Sequence, residues 1–429
     1  MSSSFRQYQD AVTYLESLAN IKQQNYLTAT HGRSIFLRRC RALLQQLGNP
    51  QLKLRYVHVG GTSGKGSVAT MIQSILTAGG CRTGLYTSPY PTTFAEKISV
   101  DGRLIGARTM RALTEKLKIA IDQTYLRSRY GQPSYFEAST ALALLYFAAQ
   151  RVDYAVLEVG VGGRYDATNV IPAPAATVIN TIGLDHVELL GDTVEKIARE
   201  KAAIIKLKTH FFTPQSNPPA VRRIFQTACR RAGAEFHLVP RPKTPFRLNL
   251  LGDHQQQNAA IAAAVCRRLG VHDAAISRGL RRVTMPCRLE VMQKKPLVIL
   301  DGAHNQSKVK TTTAALKHLT YKKLYLIIAL THERNPGAVF KNIIPLADGL
   351  YVTRYRSAYR RCYPPLELAR KLKTAAPIQV TLDADRALDR ALHKASARDL
   401  VLVTGSLFLA GELRRRWRSE KRIVAERRS

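Results

Sequence analysis

The chain has 429 residues, of which 45% are hydrophobic. This is enough for two or three domains with sizeable cores, and it excludes wholesale disorder. Lysine and arginine number 66 against 30 acidic residues, a formal charge of +36, so the surface attracts polyanions; no uncharged apolar run reaches the roughly 18 residues of a membrane span.

In chain order, short β-branched runs alternate with longer amphipathic stretches, the pattern of βαβ units. The opening MSSSFRQYQDAV lacks the charged-then-apolar build of a secretory signal, so a cytosolic protein is expected. A buried strand is predicted at Tyr56–Gly60, followed by the loop of VHVGGTSGKGS, Val57 to Ser67. The pattern misses the common G-x-x-x-x-G-K-[ST] at two places: Val59 stands at the first glycine and Gly66 follows the lysine. Yet the loop joins a strand to a helix, Ser67–Ala78, whose Val68, Met71, Ile72 and Ile75 share one face. At that junction the unpaired amides and the helix dipole favour phosphate. Gly61, Gly64 and Gly66 let the backbone approach closely, and Lys65 offers a cation. The competing reading is a tight turn with a solvated lysine.

Further strands are predicted at Gly84–Thr87, Tyr154–Val159 and Ala176–Thr181, with helices at Glu137–Gln150, Val194–Lys206 and His254–Leu269. Glu158 ends its strand at the carboxyl edge, where ligands bind in such sheets. A carboxylate there suits Mg²⁺; the alternative is a strand-end carboxylate paired with Arg164. Asp185-His186 follow the next strand, and Thr193 is placed to cap the helix carrying Glu200-Lys201. A break falls near Thr284-Met285-Pro286-Cys287. Beyond it come strands at Leu297–Asp301, Leu324–Ala329, Gly349–Thr353 and Leu400–Thr404, with helices at Ser307–His318 and Leu407–Trp417. The fold class is α/β: a P-loop-containing, doubly wound N-terminal ATPase domain over residues 1–286, then a smaller Rossmann-like α/β C-terminal domain over 287–429.

Six cysteines, at 40, 81, 229, 266, 287 and 362, lack CxxC spacing, so buried free thiols are expected rather than disulfides or a zinc site. Basic clusters recur along the chain, as at Arg222-Arg223, Arg230-Arg231, Arg281-Arg282, Arg360-Arg361 and the C-terminal RRRWRSEKRIVAERRS. No nucleic-acid signature interleaves aromatics with them. The charge reads as a general surface property, with a basic nucleic-acid-binding NTPase as the minority alternative.

Together, HVGGTSGKGSV, GLYTSP, SYFEASTALALLYF, EVGVGGRYDATNVI, IGLDHVELLGDT with EKAAIIK, GDHQQQNAA, CRLEV, LDGAHN and VTGSLFLAGELR resemble the folylpolyglutamate synthase/dihydrofolate synthase family of the Mur ligase superfamily. The resemblance runs in order from about Leu47 to Arg414. It implies an ATP-dependent amide ligase that phosphorylates a carboxylate and lets L-glutamate attack the acyl phosphate. The acid would be dihydropteroate or a folate already bearing glutamate. Thr62, Ser63, Gly64, Lys65, Gly66 and Ser67 match the ATP phosphate loop. Ser88, Glu158 and His186 match ligands of two magnesium ions, and Lys201 matches a lysine carbamylated in the family. Asn258 matches an adenine contact, Arg288 a phosphate-contacting arginine and Asp301 the ribose-binding aspartate. His304 and Ser406 match residues near the glutamate substrate, although Ser406 also reads as a plain helix N-cap. A monomer without membrane or nucleic-acid partners is expected. A sister ligase acting on another carboxylate is the other alternative.

The chain also departs from the family. Ser63 replaces Asn, TSPYP replaces TSPHL, Cys287 replaces a common Gly, and Ala-Ala follows Lys201 where Ala-Gly is usual. Ala329-Leu-Thr-His-Glu-Arg-Asn335 stands where a Gly-rich start and Asp-Lys-Asp are usual. These changes bear on the pterin side and the second domain.

Overall fold

The structure is a computed structural model that describes residues 3–18, 32–357 and 361–425. Arg360 of the basic pair and the last four residues of the C-terminal cluster lie outside them. Fourteen strands are described: β1 Tyr56–Gly60, β2 Thr83–Tyr86, β3 Ile98–Val100, β4 Arg103–Leu104, β5 Tyr154–Glu158, β6 Ala176–Ile179, β7 His210–Pro214, β8 Glu235–Val239, β9 Glu290–Lys294, β10 Leu297–Leu300, β11 Leu324–Ile328, β12 Gly349–Val352, β13 Ile378–Val380 and β14 Leu400–Thr404. They form two sheets, ordered β4-β3-β2-β5-β1-β6-β7-β8 and β13-β12-β11-β14-β10-β9. In the first, β3 and β4 are antiparallel to their neighbours and the rest run parallel. In the second only β9 is antiparallel.

The eight predicted strands are the four central ones of each sheet. Six were missed: β3, β4, β7, β8, β9 and β13. They are the outer ones: β3, β4 and β13 have three residues or fewer, β8 and β9 are mostly exposed or half-buried, and β7, though mostly buried, starts at His210 and ends at Pro214. The predicted helices are present, but the one over Val194–Lys206 stops at Ala202 and the one over Leu407–Trp417 at Arg414. Additional helices carry much of the basic charge outward. Pro219–Ala232 buries Val221, Phe225 and Cys229, four residues apart, and turns Arg223, Arg230 and Arg231 to solvent. All six cysteines are free. Among the described residues no helix is long and apolar enough to cross a membrane.

The lobes built on the two sheets meet through a buried arginine. Arg414 ends the helix Leu407–Arg414 and is only 1% exposed. It bonds Glu96 at 2.9 Å in the first lobe and Glu290 at 2.8 Å in the second, and it donates to Thr92 Oγ1 at 3.2 Å. Glu290 also accepts from the Cys287 amide at 2.8 Å, so the joint sits beside the linker. Cys287 has φ 53°, the left-handed region that favours the glycine common there in the family. One helix turn before Arg414, Gly411 faces the Pro91 carbonyl so closely that a Cβ would lie 1.7 Å from its oxygen. The TSPYP departure is therefore in contact with the second lobe.

Candidate functional site

β1 lies between β5 and β6, so their carboxyl ends bring the glycine loop, Glu158 and the segment after Ile179 to one edge. The loop needs its glycines. Gly61 has φ 135° and Gly64 φ 76°. A Cβ on Gly64 would come within 2.3 Å of Asn180 Nδ2 and 2.7 Å of Asn258 Oδ1. At Gly66 a Cβ would press on the Glu158 carboxylate at 3.3 Å, so that glycine leaves the carboxylate open to the loop. The Thr62 and Ser63 amides shape the turn by donating to the Thr181 carbonyl, at 2.9 and 3.3 Å. Thr62 Oγ1 donates to the Gly183 carbonyl at 3.0 Å. The amides left for an anion are those of the first turn of helix Lys65–Ala78, which have no acceptor inside the helix. Lys65 arches back over this concavity, its ammonium donating to the Gly61 carbonyl at 3.1 Å.

Glu158 is buried, and its Oε2 accepts from the Ser88 amide at 2.9 Å. Burial raises its carboxyl above the ordinary range, while Lys65, the Ser88 amide, Arg288 and Lys308 pull it down. Arg164 pairs instead with Glu200 at 3.2 Å, which removes the simple ion pair as the account of Glu158. His186 follows Asp185 with φ 49°. Burial lowers its pKa to about 4 against the opposing charge of Asp185, so the ring is neutral at pH 7. Lys201 lies on helix Val194–Ala202, which Thr193 caps through the Lys196 amide at 3.2 Å. Gly163 lets the GVGGRYDATN loop pack on that helix, since a Cβ there would sit 3.1 Å from Lys201 Cα. The Lys201 side chain is buried and makes no hydrogen bond or ion pair among the described residues. Burial, with Lys65 nearby, lowers its pKa to about 7.

The second lobe faces this wall with more cations. Arg288 lies within electrostatic reach of Glu158 and His304 and passes Gly302, whose absent Cβ would lie 3.0 Å from its Nη1. The His304 Nδ1–H donates to the Gly302 carbonyl at 2.8 Å, and Nε2 accepts from the Lys308 ammonium at 3.0 Å. Burial holds His304 well below the usual histidine range, hence neutral. Arg334, from the departing ALTHERN segment, bonds Asp185 across the cleft at 3.3 Å.

Three expected residues are engaged in local structure. Asp301 accepts from the Leu289 amide and from Thr312 Oγ1. Asn258 accepts from Asn180 at 2.8 Å and donates to Gln255 at 2.9 Å beneath the glycine loop. Ser406 accepts from the Phe408 amide at 3.1 Å as an N-cap. Sequence reasoning missed Lys308 and Arg334, which lie in or after motifs without a conspicuous pattern. It also missed Lys97, a buried lysine 4.7 Å from the Tyr135 ring and 5.4 Å from those of Tyr86 and Phe94. Burial lowers its pKa to about 7. The EK dipeptide before a three-residue strand gave no signal of that cage.

Two family models match the chain: the Mur ligase middle domain over residues 59–228, and the Mur ligase glutamate ligase domain over 287–407. The chain is 34% identical to a dihydrofolate synthase/folylpolyglutamate synthase of Bacillus subtilis, across 90% of this chain and 97% of that protein. It is 30% identical to a folylpolyglutamate synthase of Lacticaseibacillus casei, across 95% and 98%. Its fold superposes on the Mycobacterium tuberculosis folylpolyglutamate synthase complexed with ADP, with a TM-score of 0.87 at 27% identity, covering 97% of this chain and 99% of that one.

Proposed function

On the premise that the chain belongs to the folylpolyglutamate synthase/dihydrofolate synthase family of Mur ligases, ATP-dependent acid–amino-acid ligases, we propose that it joins L-glutamate to a folate, to dihydropteroate, or to both. The observation that carries this reading is the convergence of Lys65, Glu158 and the unpartnered, buried Lys201 at one sheet edge, faced by Arg288 and His304. In the proposed division, residues 1–286 hold ATP and the pteridine side, and 287–429 present the amino acid. In the first step a substrate carboxylate oxygen bonds to the γ-phosphorus, the bond to the β,γ-bridging oxygen breaks, and ADP leaves with the electron pair. In the second, the glutamate amine attacks the acyl carbon, phosphate leaves, and a proton passes to solvent.

Lys65 and Arg288 stabilise the charge that spreads over the transferred oxygens. The first-turn amides from Lys65 to Ser67 cradle the phosphates, with Thr62, Ser63 and Gly64 fixing the curve. Asp301, Asn258 and their neighbours shape the nucleoside side, while His304 and Ser406 border the amino-acid side. Ser88, Glu158 and His186 suit a divalent cation by their chemistry: Gly66 leaves the Glu158 carboxylate open to the loop, the Ser88 amide is bonded to that carboxylate, and the His186 imidazole is neutral. When bound there, Mg²⁺ supplies Lewis-acid neutralisation of the phosphate oxygens. Lys201 suits carbamylation, because its amine is partly neutral near pH 7 and has no acceptor to hold its proton. Addition of CO₂ with release of a proton would give it a carboxylate-like oxygen. Lys201→Ala is expected to lower kcat about 10–100-fold, with partial recovery in acetate or formate. An unchanged rate in the variant would argue against the carbamate.

The decisive assay supplies MgATP, L-glutamate and either dihydropteroate or tetrahydrofolate. Phosphate release should require both acid and amino acid. Turnover of neither acid removes the folate reading, and a UDP-muramoyl peptide panel then identifies a sister ligase. Turnover stimulated by DNA or RNA with a steep salt dependence would point to a nucleic-acid NTPase instead.

A further inference from the structure

Lys308 sits in the third residue of helix Gln306–Leu316, whose N-cap Asn305 accepts its amide at 2.9 Å. The backbone there is fixed, and the side chain is half-buried and turned into the cleft. Its ammonium donates to His304 Nε2 at 3.0 Å. That ring is itself held by the Gly302 carbonyl, so one ammonium hydrogen is used in aiming the group and two remain. Around it stand Arg288, Lys65 and Arg334 as cations and Asp185 as an anion. The side-chain cations that act on Glu158 include Lys65, Arg288 and Lys308, and Lys97 is coupled to it as well.

We propose that Lys308 is a catalytic residue of phosphoryl transfer, the second lobe's ammonium that bonds the oxygens of the transferred phosphoryl group opposite Lys65. This rests on the ligase reading above. Lys65, Arg288, Lys308 and Arg334 outnumber the carboxylates of Glu158 and Asp185 beside them, and such an excess of like charge is favourable only with a further anion among them. A phosphoryl group with three equatorial oxygens meets that need. Burial and the neighbouring cations push the Lys308 pKa down to about 7, and an anion bound beside it would restore the full charge. His304, neutral and accepting, aims the ammonium without cancelling its charge.

The test separates the two half-reactions. Hydroxylamine replaces glutamate and traps the acyl phosphate as a hydroxamate, so wild-type hydroxamate formation tests the ligase reading by itself. Lys308→Met should lower hydroxamate formation and overall kcat by the same factor, about 10²-fold, and leave KM for glutamate within about two-fold. Lys308→Arg should recover part of both rates. Hydroxamate formation at the wild-type rate with a raised KM for glutamate would overturn the proposal and place Lys308 on the amino-acid carboxylate. Losses in both variants that merely follow a lower folded fraction, read by thermal unfolding, would also overturn it.

Discussion

Lys65→Ala should lower kcat about 10²–10³-fold while leaving the fold in place. Lys65 touches its surroundings through one bond to the Gly61 carbonyl and is only half-buried. The loop geometry rests on other groups: the Thr62 and Ser63 amides on Thr181, and Gly64 against Asn180 and Asn258. Thermal unfolding should therefore stay within about 1 kcal/mol of wild type. Catalysis depends on the ammonium differently. Charge shifts onto the transferred oxygens during phosphoryl transfer, and a preorganised donor aimed there is worth about 10²–10³ in rate. Arginine should not substitute well, because a planar fork does not reproduce a compact ammonium point charge. Steady-state phosphate release with both variants checks this. Near-normal kcat in Lys65→Ala would withdraw the phosphate-loop assignment.

Arg414→Met should be the most damaging single change to stability, by about 3–5 kcal/mol. Methionine fills much of the volume but leaves Glu96 and Glu290 facing each other without their cation. Burial already holds the Glu96 carboxyl above its ordinary range even with Arg414 pulling it down. Without the arginine it rises further, so the folded variant binds a proton that the unfolded chain releases. The sign follows: stability of the variant falls as pH rises through that carboxyl's range, and the penalty is smallest in acid. Denaturant unfolding of Arg414→Met at several pH values measures this. Adding Glu96→Gln and Glu290→Gln should return much of the loss; an equal loss with the carboxylates gone would mean that packing, not charge, sets the role of Arg414.

For the central strands and the sheet edges, legibility in the sequence followed burial, whereas the buried β3 and β7 were missed. Val57, Val156, Val178 and their neighbours lie in strands covered on both faces, so they read as unbroken apolar runs. Glu235–Val239 and Ile378–Val380 cover an edge, where one face meets water and the run breaks up. The phosphate loop was readable because glycine spacing and a lysine express a backbone requirement directly. Lys308 was not, because its meaning comes from His304, four residues earlier on a turn, and from groups supplied by the other lobe. Arg414 was hidden inside RRRWR, where one buried arginine looks like its exposed neighbours.

Two of the ties between the lobes differ in kind. Arg334 meets Asp185 at 3.3 Å with a third of the arginine side chain still in water, and such pairs contribute about 0–1 kcal/mol. Arg414 is sealed beside the linker and holds both lobes at once. Under thermal agitation the weak tie parts first and the sealed one persists. A rotation of the lobes that kept the Arg414 bonds would turn like a door on its jamb, past Glu96, Arg414 and Cys287, and would move Arg334 and Lys308 relative to the glycine loop.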